Sequence, residues 1–325
     1  MNGDQTKRTR DEQKSQRGSG SVSAFVHLGA VYVIWGSTYL AIRLAVRGDA
    51  GFPPFLLGVF RLALAGTVLL GWARLRGLRV RLSRSDALTL LAAGILMWPL
   101  ANGLVNFAEQ RADSSYAALL LGSLPIWTAV IEAISHRRRP SWFLGLSLLV
   151  GFGGLGLLTA PRLAVAGAAD VLSIAALIVA PVSWALGSVL QIRRPVAVSP
   201  LVTAGYLHVF GCVGFVVLSV ATKETWQTPA AEAWGALGYL VLAGSVVAFT
   251  SYVRVLHLLP TSVVMTYAYV NPVIAVLLGW AMLGETVNGT ILVGMGMILV
   301  GVWGVFHDRY RRRVPANLDS PSSKT

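Results

Sequence analysis

Apolar residues along this chain fall into ten long runs with the polar residues pushed between them: 24–46, 53–73, 87–107, 114–134, 142–160, 170–191, 200–221, 233–255, 262–281 and 288–307. Each run is close to the roughly 20 residues that a helix needs to cross a hydrocarbon core about 30 Å thick. None alternates with the two-residue period of a barrel strand, and only helices or closed barrels satisfy backbone polar groups in lipid. The pattern therefore predicts an all-α, polytopic membrane protein with ten transmembrane helices. Connections as short as 47–52 and 256–261 make consecutive helices antiparallel hairpins. Outside the runs lie a polar N-terminal segment, 1–23, expected to be a disordered tail, and a second tail, 308–325.

Composition narrows the class further. Charged residues make up 13% of the chain, 55% is hydrophobic, and mean hydropathy is +0.65. A soluble chain carries about 25% charge, so a soluble enzyme, a nucleic-acid module and a disulfide scaffold are excluded. The single cysteine, Cys212, lies inside an apolar run and can form no intramolecular disulfide. The net charge of +13 would suit nucleic acid, but the basic residues cluster between spans, where they act as orientation signals. With the N-terminus placed in the cytoplasm, 21 of the 27 Lys and Arg residues fall on the inner side, Arg254 at the inner end of span 8 among them. Only Arg47, Arg111, Arg162 and Lys223 fall outside, and Arg43 and Arg61 lie within spans. Both termini are thus expected in the cytoplasm of a multi-pass protein of the cell membrane. The first run has full span length and no cleavage site follows it at small residues, which favours a retained helix over a signal peptide.

The second five spans carry traces of the first five. Trp35-Gly-Ser-Thr-Tyr39 in span 1 matches Trp184-Ala-Leu-Gly-Ser188 in span 6, and Leu124-Pro125-Ile126 in span 4 matches Asn271-Pro272-Val273 in span 9. The two offsets, 149 and 147 residues, agree within a loop's variation. Because five is odd, the second set starts on the opposite face, so the halves are inverted repeats of the kind on which secondary transporters build a midplane site.

Tyr32-Val-Ile-Trp-Gly-Ser-Thr-Tyr-Leu-Ala-Ile-Arg43, the Phe60-Arg61 pair, Pro125, Tyr269-Val-Asn-Pro272 and Gly284-Glu285 together resemble the EamA type of the drug/metabolite transporter superfamily. The similarity covers about residues 24–307, with 24–160 and 170–307 as the two five-helix repeats. It implies a secondary transporter, an exporter of small organic metabolites or drug-like solutes by alternating access, whose cavity is lined mainly by helices 1, 3, 4, 6, 8 and 9. One departure is visible. Family halves often carry a Glu between their last two helices; the second half has Glu285, whereas the first reads His136-Arg-Arg-Arg139, so Glu285 is read as a loop or cap residue.

Residues that could carry transport are few. A charge within a span is expensive and a functional candidate by default. Arg61, about eight residues into span 2, either faces the cavity and attracts an anionic or carbonyl-bearing part of a solute, or ties helix 2 to a neighbour. Arg43 sits near the outer end of span 1, where it can snorkel. Glu132, about a turn from the inner end of span 4, is a proton carrier, a partner of Arg137–Arg139, or part of a wet inner mouth. No midplane acid is present, so uniport or exchange stands beside proton coupling.

Uncharged polar and aromatic residues concentrate in the spans expected to line the pore. Span 1 has Trp35, Ser37, Thr38 and Tyr39; span 3 has Asn102 and Asn106, four apart and read as one face. Span 4 contributes Tyr116, Ser123 and Trp127, and span 6 Ser183, Trp184 and Ser188. Spans 8 and 9 add Thr250, Ser251, Tyr252, Thr266, Tyr267, Tyr269 and Asn271. Such a lining suits a partly apolar organic solute; taken singly, each residue could equally bond helix to helix or sit in an interfacial belt. Prolines 99, 125, 181 and 272 interrupt spans, and the repeat-related Pro125 and Pro272 are expected hinges.

Other signals are set aside. Gly151-Phe-Gly-Gly-Leu-Gly156 spells a dinucleotide fingerprint inside an apolar span with no preceding strand, and is read, like Gly294, Gly296 and Gly301, as close helix packing. The five histidines are scattered, so neither a metal site nor a cofactor is expected, and no catalytic constellation is found. The expected partners are a small-molecule solute and the lipid bilayer, with a homodimer as a further expectation and no nucleic acid. The competing reading is an integral-membrane enzyme or flippase acting on lipid-linked substrates; a purely structural protein would not explain the uneven spread of polar residues.

Overall fold

Residues 2–46, 50–110, 120–137, 139–163, 171–283 and 288–311 are described by the structure, a computed structural model, and they are helical without a strand. Ten helical segments follow one another among them. They are α1 (Asn2–Val46), α2 (Pro54–Leu75), α3 (Arg84–Ala108), α4 (Leu124–His136), α5 (Trp142–Leu163), α6 (Val171–Arg193), α7 (Pro200–Ala221), α8 (Ala231–Leu258), α9 (Tyr267–Leu283) and α10 (Gly289–Arg311). A single turn, Thr261–Val264, leads into α9. Seven of these are long and apolar enough to cross a membrane, α1 through its Val22–Val46 part; α4 and α5 hold the shorter apolar stretches Leu124–Ser135 and Trp142–Leu157. The start of span 4, with Ser115 and Tyr116, lies outside the described residues, as does Gly284-Glu285.

Local chemistry sets the starts of the helices. Ser83 accepts a hydrogen bond from the Asp86 backbone N–H at the head of α3 (3.0 Å), and Asn288 does the same for Ile291 at the head of α10 (2.9 Å). The first turn of α2 is capped from elsewhere in the chain: the Glu224 carboxylate accepts from the Phe55 and Leu56 N–H groups, each at 2.8 Å. A charge-assisted cap of this kind suits the positive end of a helix.

The packed pairs of helices come in related sets. α2 lies against α7 and α5 against α10; α1 packs on α8 and α9, while α6 packs on α3 and α4. This is the contact pattern of two five-helix halves exchanged by one pseudo-twofold. The α5–α10 seam is made by glycines. A methyl group on Gly301 would lie 2.7 Å from the Gly151 Cα, and one on Gly154 would lie 2.7 Å from the Gly294 carbonyl oxygen. The dinucleotide-like spelling is thus a packing stripe. Gly301→Ala should cost about 1–3 kcal/mol, because the neighbouring atoms are backbone and cannot turn aside. Gly296, expected in the same stripe, instead faces open space, so Gly296→Ala is the control when thermal unfolding in detergent checks this.

Two helices depart from α geometry at comparable levels of the two halves. α3 is π-helical over Trp98–Gly103 and α8 over Leu240–Phe249. Pro99, which has no N–H to give to the ladder, lies in the first of these segments. Such segments leave carbonyls free to accept from side chains, and the Trp35 indole takes up one of them, the Gly244 oxygen, at 3.0 Å.

Candidate functional site

A cavity lies where the two halves meet. Its wall is built by Trp35, Thr38, Tyr39 and Ile42 of α1, Trp98, Ala101, Asn102 and Val105 of α3, and Leu121 and Leu124 at the start of α4. Ala180, Pro181 and Trp184 of α6, and Tyr267, Ala268 and Asn271 of α9, complete it, with Arg61 reaching in from α2. α8, expected among the lining helices, stands behind the wall and holds it in place.

The rings of the wall touch one another. Trp35 meets Tyr267 with centroids 4.8 Å apart, Tyr252 at 5.0 Å and its repeat mate Trp184 at 5.5 Å. The Tyr252 hydroxyl accepts from the Trp184 indole (3.1 Å) and hydrogen-bonds the Ser188 hydroxyl (2.6 Å). Ser188 and Tyr252 therefore fix the orientation of Trp184 from behind. Tilted and edge-on pairs of this kind hold each ring in one attitude. The result is a fixed patch of rings set in an otherwise largely aliphatic wall, a surface for an apolar moiety.

Arg61 gives the wall its charge. It is 4% exposed; its Nε donates to the Ser245 hydroxyl at 2.9 Å, and its guanidinium carbon stands 5.1 Å from the centre of the Trp98 ring. Both contacts come from the π-helical segments, one in each half. Among the described residues no carboxylate neutralises it. A buried guanidinium with a hydroxyl and a ring for company keeps N–H donors for an anionic or carbonyl oxygen. Asn102 adds a polar point: its side-chain oxygen is closed off from solvent without a partner among the described residues. Asn271 donates to the backbone oxygens of Tyr267 (2.9 Å) and Tyr32 (3.2 Å), and its side chain hydrogen-bonds the Tyr39 hydroxyl.

Several candidates from the sequence fall elsewhere. Asn106 parts from Asn102 and donates to the Pro54 oxygen (3.2 Å): Asn102 lies in the π-helical segment and Asn106 in the α-helical turn after it, and the change of pitch between them upsets the face that a regular helix would give both. Ser37 binds the Ile34 carbonyl and the Tyr239 hydroxyl, Ser251 binds His27, and Thr266 binds Tyr32 and the Val263 carbonyl. The Trp127 indole donates to the hydroxyl of Ser123, the residue just before α4 (3.1 Å). These five tie helices together or brace their own helix. Glu132 is half-buried, has partners of its own and does not line the cavity. Pro125 occupies the first turn of α4, where its missing N–H costs nothing, whereas Pro272 lies inside α9.

Glu109 was overlooked in the sequence because it reads as a loop residue. It follows Asn102 and Val105 by seven and four positions, the spacing of a single helix face, and that stripe is the signal that could have found it.

Comparison with known proteins agrees with this architecture. The model of the EamA-like transporter family matches residues 24–160 and 171–307. The "Uncharacterized inner membrane transporter YedA" of Escherichia coli strain K12 is 30% identical over 281 residues, covering 86% of this chain and 89% of that one. An "S-adenosylmethionine/S-adenosylhomocysteine transporter" of Chlamydia trachomatis serovar L2 is 26% identical over 291 residues, with 86% and 88% covered. A crystal structure of a chain 20% identical to this one shares its fold, with a TM-score of 0.71 over 90% of this chain and 99% of the other. One family domain matched twice, each copy spanning one five-helix half around a shared cavity, accounts for sequence and fold together: the chain is a membrane protein of the EamA-like transporter family.

Proposed function

We propose that the protein exports small, partly aromatic organic solutes bearing an anionic or carbonyl group, by alternating access between its two five-helix halves. In this reading all ten helical segments are spans, both termini are cytoplasmic, and the two prolines are hinges, Pro125 at the head of α4 and Pro272 within α9. The observation that carries it is Arg61, buried without a carboxylate partner among the described residues and facing a cavity walled by rings. A retained charge of this kind is costly unless a ligand neutralises it. The S-adenosylmethionine named for the Chlamydia relative joins an aromatic base to a carboxylate, alongside a sulfonium and an ammonium group.

The test is flux by the purified protein in liposomes, over amino acids, amines, aromatic drugs and S-adenosylmethionine, with and without a pH gradient. Flux restricted to solutes that combine a ring with an anionic or carbonyl group is the expected result. Silence over the whole panel would overturn the reading and direct attention to lipid-linked substrates.

A further inference from the structure

Glu109 is the one described carboxylate with both oxygens closed off from solvent and without a hydrogen-bond partner among the described residues. The residue as a whole keeps some exposed surface; its carboxylate oxygens do not. The other carboxylates are placed differently. Glu224 caps α2, Asp308 accepts from the Ser141 hydroxyl, Asp86 lies in the first turn of α3, Glu232 is exposed, and Glu132 has partners. Glu109 stands one residue past the apolar span Arg84–Ala108 and one helical turn beyond Val105, which lines the cavity. In the proposed orientation this is the outer end.

Two groups of α1 are coupled to it electrostatically: Arg43 and Tyr39. Tyr39 lines the cavity and is bonded to Asn271 of α9, with Tyr267 close behind it. The carboxyl group therefore adjoins the polar wall of the solute path. We propose that Glu109 is the protein's proton-binding site: it holds a proton when the outer end of the cavity is closed over it, and gives the proton to water when that end opens. Closure removes the water that would solvate the anion, and opening returns it beside the Arg43 cation, which favours the ionised form. In support, burial pushes the carboxyl up to about 8, against the opposing pull of Arg43. Protonation and closure are thus two faces of one equilibrium, and acid on the outer side favours the closed state.

The proposal rests on the cavity being a solute path, but its test needs no solute, so failure of flux and failure of the proposal are distinguishable. The first arm is infrared difference spectroscopy of the full-length protein in liposomes between about pH 6 and pH 9. The wild type should lose a protonated-carboxyl band over this range; E109Q should lack that band, and E132Q should retain it. The second arm places Ile42→Cys, in the cavity wall, in a Cys212→Ser background and times its reaction with a membrane-impermeant maleimide. Labelling should rise with pH about tenfold more than in the same protein carrying E109Q, which remains in the slow, protonated-like state. A band that survives E109Q, or labelling whose pH dependence is the same with and without Glu109, would overturn the proposal. If E109Q fails to accumulate, the wild type still decides: no band lost over the range overturns it.

Discussion

Replacing Arg61 by Met should weaken solute binding by about 10- to 150-fold, the effect of losing a charge-assisted hydrogen bond of about 1.5–3 kcal/mol. The same substitution should leave the thermal unfolding midpoint unchanged or raise it. Arg61 is buried among neutral groups, and an apolar side chain of similar length removes an uncompensated desolvation cost. Binding and stability thus move in different directions, which a structural tie could not produce. Flux retained with lowered stability would instead assign Arg61 to holding α2 against α8. Arg61→Lys should recover only part of the loss, since an ammonium on a shorter stem cannot hold the Ser245 hydroxyl, stay near the Trp98 ring and still offer several N–H donors in the fixed fork of a guanidinium.

Trp35→Ala should cost about 3–5 kcal/mol in stability and abolish flux. Trp35 is 7% exposed, its ring meets Trp184, Phe249, Tyr252 and Tyr267, and its indole N–H holds the Gly244 oxygen. Truncation opens a hole shared by both halves and leaves a buried carbonyl unpaired. Trp35→Phe keeps a ring and forfeits the hydrogen bond, so its stability loss should be nearer 1 kcal/mol. The thermal midpoint of each variant, with flux normalised to folded protein, separates damage to the wall from damage to the fold.

The legible parts of this molecule were those on which the bilayer or the repeat imposes a pattern. Apolar runs placed the helical segments, and the Trp35–Trp184 correspondence named two residues that meet 5.5 Å apart in one ring cluster. Positions set by helix phase were harder to read. Asn102 and Asn106 look equivalent in the sequence, yet only Asn102 reaches the cavity. Hydroxyls such as Ser37 and Ser251 share the composition of a pore lining but find partners on neighbouring helices. Glu109 was hidden by a boundary drawn at the end of hydrophobicity, although the helical face continues through it. The π-helical segments leave no trace in hydropathy, because an additional residue within an apolar run is simply one more apolar residue.

A π turn is an α-helix with residues to spare, and that arithmetic sets the register of the whole site. Removing one residue from Trp98–Gly103 or from Leu240–Phe249 would not merely shorten a helix. It would replace a wide turn by an ordinary one and move the side chains within the segment by one helical position, about 100° around the axis, carrying Trp98 or Ser245 off the guanidinium between them. Chain length at these two places is therefore as much a part of the binding chemistry as residue identity, and a chimera between relatives keeps its charge clamp only if its junctions fall outside both segments.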